Sequence, residues 1–203
     1  MARQIILLRH AAVGPAYAGR YLGSTDVPID ASQAQCVQGT AHWLARQSIG
    51  RCYCSPMLRA RQTADLVMPK TSLPVSVDAD LREVDFGAWE GKTFDEISRG
   101  DALLVDKWAK MEDDFAFPEG ESILGFQKRI ACAWETMAAD PAEVVLATTH
   151  GGVIRSMICH ALGLPRAYYI LFKVRYAACA VIDVFDRNGV LSGLNLPASA
   201  EGN

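Results

Sequence analysis

The sequence predicts an α/β fold built on a central sheet, and three observations carry that expectation. Apolar runs of strand length alternate with stretches of helical spacing. Two of the runs, residues 5–8 and 144–148, are apolar enough to read as buried strands. Three runs end on polar residues that a core does not need. Residues 5–8 run into Arg9-His10, 51–54 into Ser55, and 144–148 into Thr149-His150-Gly151-Gly152. In open α/β sheets ligands bind beyond the carboxyl ends of the strands.

Taken in order, Ile5-Ile6-Leu7-Leu8 forms the first strand, and residues 31–47 have helical spacing through Val37, Ala41, Leu44 and Ala45. Residues 51–54 form a short strand. Ser55-Pro56 then opens a helix, with Ser as N-cap and Pro at the first helical position. Another short strand follows at 74–77. Residues 86–127 carry acidic and aromatic side chains without strand periodicity; they form a cap or substrate-binding insertion within a single domain of residues 1–203. Glu121-Ser122 caps a helix over 123–137. The strand at 144–148 leads through Gly151-Gly152 into an apolar helix at 153–162. Residues 178–185 and 190–194 close the fold as a hairpin joined by Asp186-Arg187-Asn188-Gly189, Asn-Gly being a strong turn signal.

Half of the 203 residues are hydrophobic and 21% are charged, an ordinary balance for a soluble globular domain. With a net charge of only −3, no basic field recommends a nucleic-acid or membrane partner, so any anion site must be a local cluster of cations. Met1-Ala2-Arg3-Gln4 places one cation ahead of an apolar run too short for a signal peptide or a membrane span; a cytoplasmic location is expected. The six cysteines fit no zinc spacing and read as reduced, buried, small apolar side chains. His42 and His160 fall within helical patterns, as surface or satisfied core residues.

If the three strands are parallel neighbours, His10, His150 and the start of the Ser55 helix converge on one crevice. A neutral imidazole is a competent nucleophile near neutral pH. Arg9 and an arginine of the Ser55 helix would clamp a phosphoryl group through charge-assisted hydrogen bonds. Arg59 and Arg61 lie two positions apart, about 200° around a helix, so only one faces the site. Arg59, nearer the N-terminal turn, is the choice. The N–H groups of Gly151 and Gly152 would add donors. Phosphoryl transfer asks mainly for positioning and charge neutralisation, so the site needs no metal. A leaving alkoxide also needs a proton. The stretch Leu81-Arg82-Glu83-Val84-Asp85-Phe86-Gly87 offers Glu83 and Asp85, and composition does not choose between them.

Four segments carry a family resemblance: Leu8-Arg9-His10, Ser55-Pro56-Met57-Leu58-Arg59-Ala60-Arg61-Gln62-Thr63-Ala64, the run from Leu81 through Asp85-Phe86-Gly87-Ala88-Trp89-Glu90-Gly91, and Thr149-His150-Gly151-Gly152. In order and spacing they resemble the histidine phosphatase (phosphoglycerate mutase-like) superfamily, over nearly the whole chain. The resemblance implies a three-layer α/β/α fold with a mostly parallel mixed sheet and no metal or organic cofactor. It implies His10 as the phosphorylated nucleophile, Arg9, Arg59 and His150 as the rest of the phosphate pocket, and Glu83 as the proton donor. Tyr21-Leu22-Gly23-Ser24-Thr25-Asp26-Val27-Pro28, the Trp-Glu-Gly run and Pro118-Glu119-Gly120-Glu121-Ser122 are most similar to the α-ribazole phosphatases of cobalamin assembly. That similarity implies α-ribazole 5′-phosphate as the small-molecule substrate.

The sequence also departs from the family pattern. The common form is R-H-G, with a hydroxyl residue three places after His and an Asn six after it; Ala11, Val13 and Ala16 stand there. Two usual phosphate donors are therefore absent, which favours a non-catalytic phospholigand-binding domain as an alternative. A broad-specificity sugar or nucleotide phosphatase is a second. A phosphoglycerate mutase is a third, disfavoured because Arg99 is the only arginine between Phe86 and Gln127, where mutases carry a pair. Trp89, Trp108, Phe115 and Phe117 either line a pocket for an aromatic base or form a small core of the cap. The exposed edge of the closing hairpin would support a homodimer.

Overall fold

A computed structural model describes residues 3–68, 73–186 and 188–197. It contains a six-stranded sheet of β1 (Arg3–Arg9), β2 (Arg51–Cys54), β3 (Val75–Val77), β4 (Val144–Thr149), β5 (Cys179–Phe185) and β6 (Asn188–Leu196), in the order β3-β2-β4-β1-β5-β6. The first four strands are parallel, and β5 and β6 close the sheet antiparallel. The expected α/β fold with a mostly parallel mixed sheet is the one observed.

The three layers follow from the period-two alternation of β1. Ile5 and Leu7 point into one cluster with Ile130 and Trp134 of α5 (Ile123–Ala138) and Ile154 and Ile158 of α6 (Gly151–Ala161). Ile6 and Leu8 point the other way, towards Leu44 of α1 (Gln38–Leu44) and Val67 of α2 (Leu58–Val67). All four side chains are fully buried, which stabilises the fold by about 1.5–3 kcal/mol each. Both faces of the sheet are thus covered by helices, and the carboxyl edge of β1, β2 and β4 is left to the site.

Four expectations need correction. The helix expected over 31–47 is split into a 3-10 turn at Ala31–Gln35 and α1. The carboxylate of Asp30 accepts from the Ser32 amide and hydroxyl, a local closure that competes with a helical start. The helix after Ser55 begins at Leu58: the Ser55 hydroxyl meets His150 and the Met57 amide, and Asp26 Oδ1 accepts from the Leu58 amide at 2.7 Å. In the hairpin, Phe185 pairs with Asn188 and Val184 with Gly189, so Asn-Gly lies inside the strand pairing. Asp186 takes the left-handed turn conformation, while Arg187 lies outside the described residues. Gly189 is required for packing, since a Cβ there would crowd Ile182 and Ala161. Finally, Cys36 and Cys132 are exposed; only the other four cysteines are buried.

Residues 86–127 form a 3-10 turn at Gly87–Trp89, α3 (Phe94–Gly100) and α4 (Ala102–Ala109), with α3 opened by a capping box between Thr93 and Glu96. Their aromatic residues do not make a separate small core. Trp89, Phe115 and Phe117 are buried in the same cluster as Ile5 and Val145, in edge-on or tilted contacts with ring centroids 5.0–6.0 Å apart. Among the described residues, no helix is long and apolar enough to cross a membrane.

Candidate active site

The strands β2, β4 and β1 are adjacent and parallel, so their carboxyl ends deliver Ser55, His150 and Arg9-His10 to one crevice. The backbone fixes the spacing: the His10 amide donates to the Thr149 carbonyl and the Ser55 amide to the Thr148 carbonyl, both at 2.9 Å. The rings of His10 and His150 lie edge to face with centroids 5.1 Å apart. This is the convergence expected from the polar strand ends.

Each imidazole is held in one tautomer. His10 Nδ1 lies 2.7 Å from the Ala11 carbonyl, which can only accept. The proton is therefore on Nδ1, and the Nε2 lone pair is left for chemistry. His150 Nδ1 accepts from Arg59 Nε at 3.3 Å, so its proton is on Nε2 and is donated to Ser55 Oγ at 2.8 Å. Burial, then the charges of Arg9 and Arg59, holds His10 well below the ordinary imidazole value. Burial, followed by His10, Arg59 and Arg9, does the same to His150. Both rings are uncharged at neutral pH.

Arg59 is almost wholly buried, whereas Arg61 is exposed, as expected of two residues on opposite sides of α2. Besides His150, Arg59 donates from Nη1 to the Thr25 carbonyl and from Nη2 to the carbonyls of Leu22 and Gly23, at 2.9–3.1 Å. Glu90 grips the same loop from the other side. Its carboxylate accepts from the amides of Gly23, Ser24 and Thr25 and from the Thr25 hydroxyl, at 2.6–3.2 Å. Gly23 has no room for a side chain, since a Cβ would overlap the Val84 carbonyl and Glu90. Loop 22–25 is thereby pinned between a cation and an anion over the start of α2.

Arg9 stacks on Tyr176, with its guanidinium carbon 3.7 Å from the ring centroid, and donates from Nη1 to the Val174 carbonyl at 2.7 Å. Among the described residues its Nε is buried without a hydrogen-bond partner. Gly151 lets the guanidinium pass, because a Cβ there would lie 3.2 Å from it. The two glycines form the first turn of α6, earlier than the expected start at residue 153, and the Gly152 amide donates to Glu83 Oε2 at 2.9 Å. A Cβ on Gly152 would overlap Glu83 Oε1. Asp85, the other candidate acid, accepts from the Ser24 hydroxyl and the Gly87 amide and closes the neighbouring turn. Of the two carboxylates, Glu83 is the one at the start of α6.

The three replaced positions offer no side-chain donor. Ala11 is buried and its amide donates to Thr63 Oγ1. Val13 bridges to Ile29, and Ala16 lies in the exposed 3-10 turn Pro15–Tyr17. Sequence reasoning also passed over three residues. Glu90 stood in the Trp-Glu-Gly run, but nothing marked it as the anchor of loop 22–25. Tyr176 and Arg129 stood in no motif at all. Arg129 holds the backbone that carries Glu83. His42 and His160 lie outside the crevice; His42 contacts Arg46, and His160 stands edge-on to Trp134.

Two hollows flank the start of α6. An apolar cavity of about 400 Å³ is lined by Tyr21, Phe86, Trp108, Phe117 and Phe126, with Gly152 and Arg155 at the α6 side. Burial pushes the Tyr21 phenol up to about 12. On the other side, Glu83 lines a polar cleft with Ser24, Asp85, Glu121 and Arg129. Neutral imidazoles, guanidinium groups and helix-terminal amides together make a setting for a tetrahedral oxyanion, with an apolar hollow beside it for the group the anion is attached to.

A family model described as the histidine phosphatase superfamily (branch 1) matches residues 5–197. The adenosylcobalamin/alpha-ribazole phosphatase of Escherichia coli (strain K12) is 27% identical over 194 residues, covering 93% of this chain and 94% of that protein. The 2-carboxy-D-arabinitol-1-phosphatase of Triticum aestivum is 24% identical over 93% of this chain, which spans only 38% of that longer relative. A crystal structure described as a putative alpha-ribazole-5'-P phosphatase from E. coli superposes with a TM-score of 0.86 at 26% identity, over 96% of this chain and 97% of that one.

Proposed function

The chain belongs to the histidine phosphatase superfamily and is a phosphatase, and from that premise we propose that it hydrolyses a small phosphomonoester in two steps through phospho-His10, with α-ribazole 5′-phosphate as the leading substrate. In the first step His10 Nε2 attacks phosphorus, the ester P–O bond breaks, and Glu83 gives its proton to the leaving oxygen. In the second, Glu83 takes a proton from water, the water oxygen bonds to phosphorus, and the N–P bond breaks. Arg9, Arg59, His150 and the amide end of α6 at Gly151 neutralise and orient the phosphoryl oxygens.

The observation that carries this reading is the tautomer of His10. The Ala11 carbonyl holds the proton on Nδ1, burial disfavours the charged ring, and the lone pair is left on Nε2. The aromatic cavity supports the substrate assignment, because α-ribazole carries a flat aromatic base of a size for such a hollow. Residues 86–127, which supply Trp108 and Phe117, act as its cap within one domain of residues 1–203. On the same reading the enzyme works in the cytoplasm without nucleic-acid or membrane partners, and the edge strand β6 is where two copies would pair.

Phosphate release from a panel of phosphomonoesters tests the substrate. A kcat/KM for α-ribazole 5′-phosphate at least about tenfold above sugar and nucleotide phosphates is expected, equivalent to about 1.4 kcal/mol of differential binding. Equal rates across the panel would replace it with a broad-specificity phosphatase. Conversion of 3-phosphoglycerate to the 2-isomer would replace it with a mutase, and binding without turnover with a phospholigand-binding domain.

A further inference from the structure

Arg129 lies on the second turn of α5, away from the four motif segments, and is nearly buried, with a side chain only 11% exposed. Its guanidinium is saturated. Nε and Nη2 form a bidentate pair with Glu121 at 2.7 and 2.9 Å. Nη1 donates to the carbonyls of Asp80 and Arg82 at 2.7 and 2.6 Å, and Nη2 also donates to the carbonyl of Glu83 at 3.0 Å. Five contacts from one planar group fix three backbone carbonyls in the segment that ends on Glu83. Glu121 completes the ring with two bonds to Asp85: its amide donates to the Asp85 carbonyl, and its side-chain Oε2 accepts weakly from the Asp85 amide.

A buried arginine in the interior needs such partners, but the choice of partners is informative. A merely structural arginine has no reason to gather three carbonyls of the one segment that carries the carboxylate at α6. The carbonyl between them is tied as firmly, since Thr149 Oγ1 donates to the Leu81 carbonyl at 2.6 Å. The backbone of Glu83 is therefore held from α5 and from β4 at once, and its carboxylate is left to meet Gly152.

We propose that the Arg129–Glu121 pair is a positioning device for the proton donor: it acts through Glu83 and touches neither the phosphoryl group nor His10. This rests on the reading of Glu83 as general acid given above. Holding an acid within hydrogen-bond reach of a leaving oxygen is worth much of the 10²–10⁴-fold that general-acid catalysis supplies, and a displacement of about 1 Å loses on the order of 10²-fold.

The test uses leaving groups. An alkyl phosphomonoester departs as a strongly basic alkoxide and needs the proton; p-nitrophenyl phosphate departs as a weakly basic phenolate and does not. Glu83→Gln is measured first as the reference, and Arg129→Met is then measured alone and combined with it. The expected result is a loss of about 30-fold or more in kcat/KM, which reports the phosphorylation step and not the later hydrolysis, on the alkyl ester for Arg129→Met, within about threefold of wild type on the nitrophenyl ester. In the Glu83→Gln background the same substitution should cost less than about threefold on either ester, the non-additivity of residues that act as a unit. Glu121→Gln, which keeps the arginine and weakens one side of its grip, should show the same selectivity to a smaller degree, and serves if Arg129→Met does not fold. Equal losses on both esters, or a full loss in the Glu83→Gln background, would overturn the inference while leaving Glu83 its role. If Glu83→Gln itself lowers kcat/KM alike for both esters, the general-acid reading falls and takes this inference with it.

Discussion

The crevice at the strand ends and the apolar cavity beside it meet at the first turn of α6 but are held together by different forces. The crevice is a set of directional hydrogen bonds with few partners: Ala11 for His10, Ser55 and Arg59 for His150, Gly152 and Val84 for Glu83. The cavity is an aromatic packing in which Trp108 touches Tyr21, Trp89 and Phe117, and Phe117 also touches Phe86 and Phe115. Directional networks fail at once when one atom moves; packed ones yield gradually and redistribute contacts. Chemistry should therefore reside in the brittle region and substrate choice in the tolerant one.

Substitutions on the two sides should separate along that line. The largest effect is expected at the nucleophile: His10→Ala should lower kcat by roughly 10⁶-fold on every ester, as measured by phosphate release, because no second group replaces a missing nucleophile. Retained turnover would remove His10 from the chemistry. Gly152→Ala comes next. The added methyl overlaps Glu83 Oε1, so kcat on an alkyl ester should fall by about 10²-fold with KM little changed. A change in KM alone would place Glu83 in binding.

On the cavity side, Trp108→Ala removes a half-buried wall residue. It should raise KM for an aromatic phosphomonoester about tenfold and leave kcat for a small alkyl phosphate within about twofold. An equal loss of kcat on both would join the two regions into one. The smallest effect concerns pH. His10 and His150 are held neutral in the folded state, so the unfolded chain binds more protons than the folded one once pH falls below about 6.5. Their contribution is absent above that value, and the thermal midpoint should drop between about pH 7 and about pH 5.5, before carboxylates titrate. A flat midpoint over that interval would contradict the assigned neutrality.

The same contrast explains what the sequence could say. Residues 5–8 and 144–148 announce their strands because both faces of the sheet are covered, and a strand buried twice is apolar throughout. The candidate site residues His10, His150 and Arg59 stood out because they follow strand ends in motifs. Expectations failed where a long-range partner overrode a local signal. Ser55 has the composition of an N-cap, but His150, distant in sequence, claims its hydroxyl, and Asp26 caps the helix instead. Asn188-Gly189 has the composition of a turn, but Gly189 is needed where β6 passes Ala161 of α6. Arg129 was illegible for the same reason: on an amphipathic helix one more arginine reads as solvated, and only the fold brings it to the carbonyls beneath Glu83.

The most direct test of the account is to mix the protein with a phosphomonoester, quench with base within one turnover, and map the bound phosphoryl group by peptide mass spectrometry. The account predicts an acid-labile, base-stable phosphoramidate on His10 Nε2, absent from His10→Ala and accumulating in Glu83→Gln with a nitrophenyl ester as hydrolysis slows. Turnover with no phosphorylated protein at any time, or with the group on another residue, would contradict it.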